Sequence, residues 1–143
     1  MKIRPVILCG GEGTRLWPKS KNNEAKQFIN FGGWNLFQKT LLRVKGKIFD
    51  HPIISTNIKY LKQVKFFLKK SKIKKYNIVL EPAKKNTAPA ILSATLIKKI
   101  PDRQGLMFFP ADHLLENNNQ LKKSIIKNKK YLNNQNIFIF GIK

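Results

Sequence analysis

The sequence predicts an α/β fold built on a mostly parallel sheet, and three observations predict it. Short apolar runs alternate with amphipathic stretches along the 143 residues, the pattern of successive βαβ units. The first run leads directly into a glycine-rich turn. Polar residues able to do chemistry follow three of the runs, at what would be the carboxyl ends of strands, where open parallel sheets bind ligands.

Taken in order, Arg4 to Leu8 reads as a buried strand. Asn35 is placed to cap a helix over Leu36 to Val44, with Leu36, Phe37, Thr40, Leu41 and Val44 on one face. Pro52 to Ser55 is the second strand. A helix over Asn57 to Lys70 turns Leu61, Val64, Phe67 and Leu68 inward and its lysines outward. Asn77 to Leu80 is the third strand, and a helix over Pro89 to Lys99 packs through Ile91, Leu92, Thr95 and Leu96. Leu106 to Phe109 is the fourth strand, Leu121 to Leu132 a lysine-coated helix, and Asn136 to Phe140 a fifth strand. A last parallel strand with no covering layer is incomplete. The chain is therefore expected to be truncated at its C-terminus, an N-terminal fragment inactive alone.

A hydrophobic fraction of 42% suits a globular domain rather than a disordered chain. No apolar run is long enough to cross a bilayer, and the apolar start is too short for a signal peptide, so a cytoplasmic protein without a membrane partner is expected. The single cysteine, Cys9, excludes an internal disulfide and reads as a packed residue. The formal net charge of +22 raises nucleic acid as a partner. Only Arg4, Arg15, Arg43 and Arg103 are arginines, however, and the lysines are scattered among isoleucines and asparagines. That mixture reads as compositional bias. A nucleic-acid-binding module would interleave aromatics with arginines on one face, whereas the phenylalanines fall at core positions.

After the first strand comes Cys9-Gly10-Gly11-Glu12-Gly13-Thr14-Arg15-Leu16-Trp17-Pro18. Three glycines in four positions allow positive φ and close backbone approach, so amide groups can face phosphate oxygens. Arg15 adds a permanently charged planar fork. The loop lacks the Gly-Lys-Ser/Thr ending of a Walker A loop and the third glycine of the dinucleotide fingerprint. By spacing alone it is also a fair tight turn. Lys26 alone is one lysine among many.

The segment Glu81-Pro82-Ala83-Lys84-Lys85-Asn86-Thr87-Ala88-Pro89-Ala90 follows the third strand. Asn86 or Thr87 can cap the next helix and Pro89 fits its first turn. Capping leaves Glu81 unexplained, and a carboxylate there can accept from the N1–H and N2–H of guanine. Pro110-Ala111-Asp112-His113 follows the fourth strand. Asp112 is placed to hold Mg²⁺ on a triphosphate, or is a simple turn aspartate. His113 without a second histidine is a poor zinc ligand, and His51 is expected to be exposed.

Together, Gly10-Gly11-Glu12-Gly13-Thr14-Arg15-Leu16-Trp17-Pro18-Lys19-Ser20 and Lys26-Gln27-Phe28 resemble the signature of sugar nucleotidyltransferases. Leu16-Trp17-Pro18, Lys26-Gln27-Phe28, the Glu81 to Ala90 segment and Pro110-Ala111-Asp112-His113 resemble the mannose-1-phosphate guanylyltransferase branch, including its enzymes fused to a mannose-6-phosphate isomerase domain. Ala25, Lys21, Lys85 and Glu12 stand where that family usually has Pro, Arg, Arg and often Ser. The resemblance implies a Rossmann-like domain, of which residues 1–143 are the N-terminal, nucleotide-binding part. It implies GMP transfer from GTP to mannose 1-phosphate with Mg²⁺ as cofactor. It assigns catalysis to Arg15, Lys26 and Asp112, metal binding to Asp112, and nucleotide binding to Leu8, Gly10, Gly11, Gly13, Thr14, Glu81, Asn86 and Thr87. Another sugar-1-phosphate nucleotidyltransferase is the alternative, because the family's sugar-phosphate motif is absent. A homo-oligomer or a missing C-terminal half would be the macromolecular partner.

Overall fold

A computed structural model describes residues 2–11, 25–82, 86–97, 100–101, 104–133 and 136–141. Four strands, β1 (Arg4–Cys9), β2 (Ile53–Asn57), β3 (Asn77–Glu81) and β4 (Leu106–Pro110), form one sheet in the order β3-β2-β1-β4. Every pairing is parallel, with Val6 beside Ile53 and Phe108, and Ile54 beside Ile78. The chain winds outward from β1 to β3, then crosses back to place β4 on the other side of β1. The winding direction reverses between β1 and β4, and in open α/β sheets that switch point is where a ligand crevice opens.

Alternation along the strands sends side chains to two different layers. One face carries Ile7, Cys9, Ile54 and Phe109. Helices α1 (Leu36–Arg43), α2 (Leu61–Lys70) and α4 (Asn118–Asn128) cover it, through Phe37 and Leu41, Val64 and Leu68, and Ile125. Asn35 caps α1 by accepting from the Gln38 amide at 2.8 Å, as the sequence predicts. Phe28 completes this layer, with its ring 5.6 Å from Phe37, 5.7 Å from Tyr60 and 5.8 Å from Phe67. It belongs to a short 3-10 turn, Lys26–Phe28, so burying Phe28 fixes the two polar residues before it.

The other face carries Val6 and Ile53 under α3 (Thr87–Thr95). Here the structure corrects the sequence reading. Ala90 and Ala94 face the sheet, while Leu92 and Leu96 are 59% and 70% exposed. Small residues let α3 approach the sheet closely, and a helix that is apolar nearly all round carries no polar stripe to mark its outer side. Asn86 does stand at the N-cap position, but at φ +62° and without a side-chain capping bond. The expected fifth strand is a second correction, because Asn136 to Phe140 is not strand. Ile137 and Ile139 are 93% and 92% exposed; apolar composition alone does not make a strand without a partner edge in register.

Candidate functional site

Of the polar residues singled out in the sequence, Lys26, Glu81 and Asp112 stand at the carboxyl end of the sheet. β1 ends at Cys9, and Gly10 and Gly11 continue across the strand ends. Neither glycine has positive φ, so these two positions do not use the left-handed freedom that glycine allows. The absence of a side chain at Gly10 serves another purpose: a Cβ there would lie 3.2 Å from Glu81 Oε2 and 3.4 Å from Oε1, so the carboxylate would have to shift. Gly13, Thr14 and Arg15 lie outside the described residues.

The start of the loop is tied down by a residue to which sequence reasoning gave no role. Gln27 is buried, and its Nε2 donates to the Cys9 carbonyl at 3.3 Å and the Gly11 carbonyl at 3.2 Å. Thr56 Oγ1 donates to the same Cys9 carbonyl at 3.2 Å. Gln27 was visible only as the middle of Lys26-Gln27-Phe28; a buried amide beside an anchoring aromatic is the signal that could have found it. Burial pushes the Cys9 thiol strongly up, hydrogen bonds to Gln27 and Thr56 pull it down, and the negative charges of Asp112 and Glu81 raise it again. The thiol is therefore an inert packed group, and both carboxylates act on it from across the strand ends.

Glu81 is the last residue of β3. Its Oε1 accepts from Ser55 Oγ at 2.6 Å, and its carbonyl accepts from Asn57 Nδ2 at 3.3 Å. Asp112 lies just past β4, in a turn anchored by the Ala111 amide donating to the Leu8 carbonyl at 3.0 Å. Leu8 thus holds the Asp112 turn with its backbone, while its half-buried side chain packs on the α3 face. Lys26 Nζ stands 3.5 Å from Asp112 Oδ2, and His113 Nε2 is 4.0 Å from Oδ1.

Arg43, also missed, fixes the far side of this turn. It is among the largest fully buried side chains, and burial lowers its guanidinium from the usual arginine value. Its Nη2 donates to the His113 carbonyl and its Nε to Asn118 Oδ1, both at 3.1 Å. A buried cation held by neutral acceptors links α1 to the segment carrying Asp112. Asn86 and Thr87 sit at the start of α3, exposed and free of the core.

These groups suit a nucleotide carrying its own cation. Among the described residues no cluster of three His, Cys, Asp or Glu side chains could hold a metal. Asp112 offers one carboxylate with a 41% exposed side chain. That donor set does not make a cage, but it fits a hard divalent ion whose other oxygens come from phosphates and water. A cavity of about 1140 Å³ lies elsewhere, against the outer side of β4 between Ile91, Ile125, Leu132 and Phe138. Its lining is mostly apolar, with Thr95, Gln104, Asn128 and Lys129 among its polar members. Among the described residues no helix is long and apolar enough to cross a membrane.

Comparison with known proteins gives a consistent picture. The family described as nucleotidyl transferase matches residues 4–143. A mannose-1-phosphate guanylyltransferase of Sinorhizobium fredii is 38% identical over 130 residues, covering 87% of this chain and 25% of that protein. The crystal structure of mannose-6-phosphate isomerase from Helicobacter pylori superposes with TM-score 0.66 at 26% identity, over 91% of this chain and 46% of that one. A putative glucose-1-phosphate thymidylyltransferase from Bacillus anthracis superposes with TM-score 0.69 at 19% identity, over 90% of this chain and 51% of that one, a likeness of fold. The chain spans a quarter of the length of the Sinorhizobium relative.

Proposed function

We propose that this chain, which belongs to the nucleotidyl transferase family, is the nucleotide-binding part of an enzyme that transfers GMP from GTP to mannose 1-phosphate, giving GDP-mannose and pyrophosphate. The observation that carries the reading is the grouping at the strand ends. One carboxylate, Glu81, is anchored against the glycine turn, and another, Asp112, is paired with Lys26 at the switch point. The likeness to the Sinorhizobium guanylyltransferase supports the choice of substrates.

In this reading Glu81 accepts from the two adjacent N–H groups of guanine, which adenine lacks. Leu8, Gly10, Gly11, Gly13 and Thr14 carry the nucleotide across the end of β1, Asn86 and Thr87 close it from the start of α3, and Arg15 neutralises the β- and γ-phosphates. Asp112 would hold Mg²⁺, which when bound neutralises triphosphate charge. Lys26 exchanges its Asp112 partner for a phosphate oxygen. A mannose 1-phosphate oxygen attacks the α-phosphorus in line; the new P–O bond forms as the bond to the β-phosphate bridging oxygen breaks. Positioning and charge neutralisation supply such catalysis without a covalent intermediate. A lone free thiol such as Cys9 suits the cytoplasm, where we place this chemistry.

Photolabelling with 8-azido-GTP and Mg²⁺, followed by peptide mapping, tests the reading. Label is expected on peptides bearing Gly10, Glu81 and Asp112, competed by GTP and GDP-mannose and far less by ATP. Label spread over the lysines of α2 and α4, insensitive to GDP-mannose, would remove the assignment.

A further inference from the structure

Ser55 stands at the centre of the site with no role assigned to it. It lies in β2 between Ile54 and Thr56, all three at 0% exposure. A hydroxyl buried there costs free energy unless it is bonded. Its partner is Glu81 Oε1, at 2.6 Å. Glu81 is in register with Asn57, not Ser55, whose β3 neighbour is Val79. The Glu81 side chain therefore leans back over β2 to reach the serine. From that position its other oxygen lies against Gly10, where a Cβ would come within 3.2 Å. One oxygen is held by a buried donor, and both lie in the space that the missing Gly10 side chain leaves.

We propose that Ser55 is a positioning residue that sets purine specificity by locking the Glu81 carboxylate. A glutamate free to change rotamer loses binding energy to ordering when its ligand arrives. A carboxylate already fixed by Ser55 keeps Oε2 and the second lone pair of Oε1 for a base that presents a ring N–H beside an exocyclic amine. Gly10 belongs to the same device, because its missing side chain leaves the carboxylate its space. The inference rests on the reading that Glu81 contacts the base.

The test compares binding of GTP, ITP and tripolyphosphate to the chain in Mg²⁺ by calorimetry. ITP lacks the exocyclic amine, and tripolyphosphate lacks the base. The unmutated chain is expected to prefer GTP to ITP by roughly tenfold, since a site built on hydrogen bonds rejects a ligand lacking a partner. Ser55→Ala should reduce that preference to about twofold or less, because the hydrogen bond it removes ends on a charged carboxylate, with little change toward tripolyphosphate. Ser55→Thr, which restores the hydroxyl, should recover the preference. Gly10→Ala should also narrow it by displacing the carboxylate, without touching the β2 core. If Glu81→Gln collapses the preference while Ser55→Ala and Gly10→Ala leave it intact, the positioning role is wrong and the base reading stands. If Glu81→Gln has no effect either, the base reading fails and the proposal fails with it.

Discussion

The two ends of the sheet each gather an acid, a base and polar side chains, and they use them differently. At the amino end, Asp50 is bound on several sides. It accepts from Gln104 Nε2 at 3.0 Å, from the His51 amide at 2.7 Å and ring Nδ1 at 2.8 Å, and lies 3.6 Å from the buried Arg4 guanidinium. Arg4 also donates to Asn77, stitching β1 to β3. At the carboxyl end, Asp112 has a 3.5 Å pair with Lys26, and both side chains are about a third exposed or more. The first network draws the partners of Asp50 from the fold itself, although Arg4 Nε and Gln104 Oε1 stay buried without a partner. The second leaves its charges in reach of a ligand, beside a carboxylate fixed by Ser55. Similar residue types thus give a structural clasp at one end and, in the proposed reading, a binding site at the other.

The largest effect that would sharpen this contrast is expected at Asp112. Asp112→Asn should weaken GTP binding in Mg²⁺ by about 30-fold, or about 2 kcal/mol. Thermal unfolding should hardly change, because an exposed ion pair contributes only about 0–1 kcal/mol. Asp50→Asn should do the opposite, lowering stability by about 1–2 kcal/mol and leaving GTP affinity alone. Calorimetry and thermal melts on the two variants separate these outcomes, and a loss of GTP binding in Asp50→Asn would break the comparison.

The same contrast extends to pH. Burial pushes the Asp50 carboxyl up, but the hydrogen bonds from Gln104 and His51 and the charge of His51 outweigh it and hold the group well below the usual carboxylate range. A depressed folded value means that its contribution is present above the unfolded pKa of about 4 and is lost as pH falls through the lower folded value. The acid limb of the stability curve should be shallower in Asp50→Asn than in the unmutated chain, as read by urea melts between pH 5 and roughly pH 2.

The sequence made the sheet legible because each strand is a compact apolar run and each helix but one has a polar side. α3 misled because its leucines and alanines give no polarity contrast, and the close approach to Val6 and Ile53 selected Ala90 and Ala94. The run Asn136 to Phe140 misled because strand composition says nothing about whether an edge receives it. Glu81, Asp112 and the first two glycines were legible because they stand where the chain leaves the strands, whereas Lys26 entered only through the resemblance carried by Lys26-Gln27-Phe28. Ser55, Gln27 and Arg43 were not, because each acts through a partner distant in sequence: Glu81, the Cys9 and Gly11 carbonyls, and the His113 carbonyl. His51, expected to be exposed, is half-buried, with its ring against the neighbouring Asp50.

Two smaller effects follow from the site's supports. Gln27→Leu removes the donor shared by two carbonyls at the loop start. It should lower stability by about 1 kcal/mol and GTP affinity by about threefold, as measured by urea melts and titration. Cys9, its thiol pushed up by burial, should resist iodoacetamide in the folded chain and react readily in urea. Because its folded pKa is raised, its contribution to stability is present below the unfolded value of about 8.5 and is lost as pH rises toward the folded one. Fast labelling of native Cys9 would mean that the strand end is open.

The central claim is that the carboxyl end of the sheet is a guanine nucleotide site. The most direct measurement is the ratio of GTP to ATP affinity of the chain in Mg²⁺, taken by calorimetry for the unmutated protein, Glu81→Gln and Asp50→Asn. The account predicts at least about tenfold preference for GTP, most of it lost in Glu81→Gln and all of it kept in Asp50→Asn. Equal affinity for GTP and ATP in the unmutated chain, or a preference indifferent to Glu81, would contradict it.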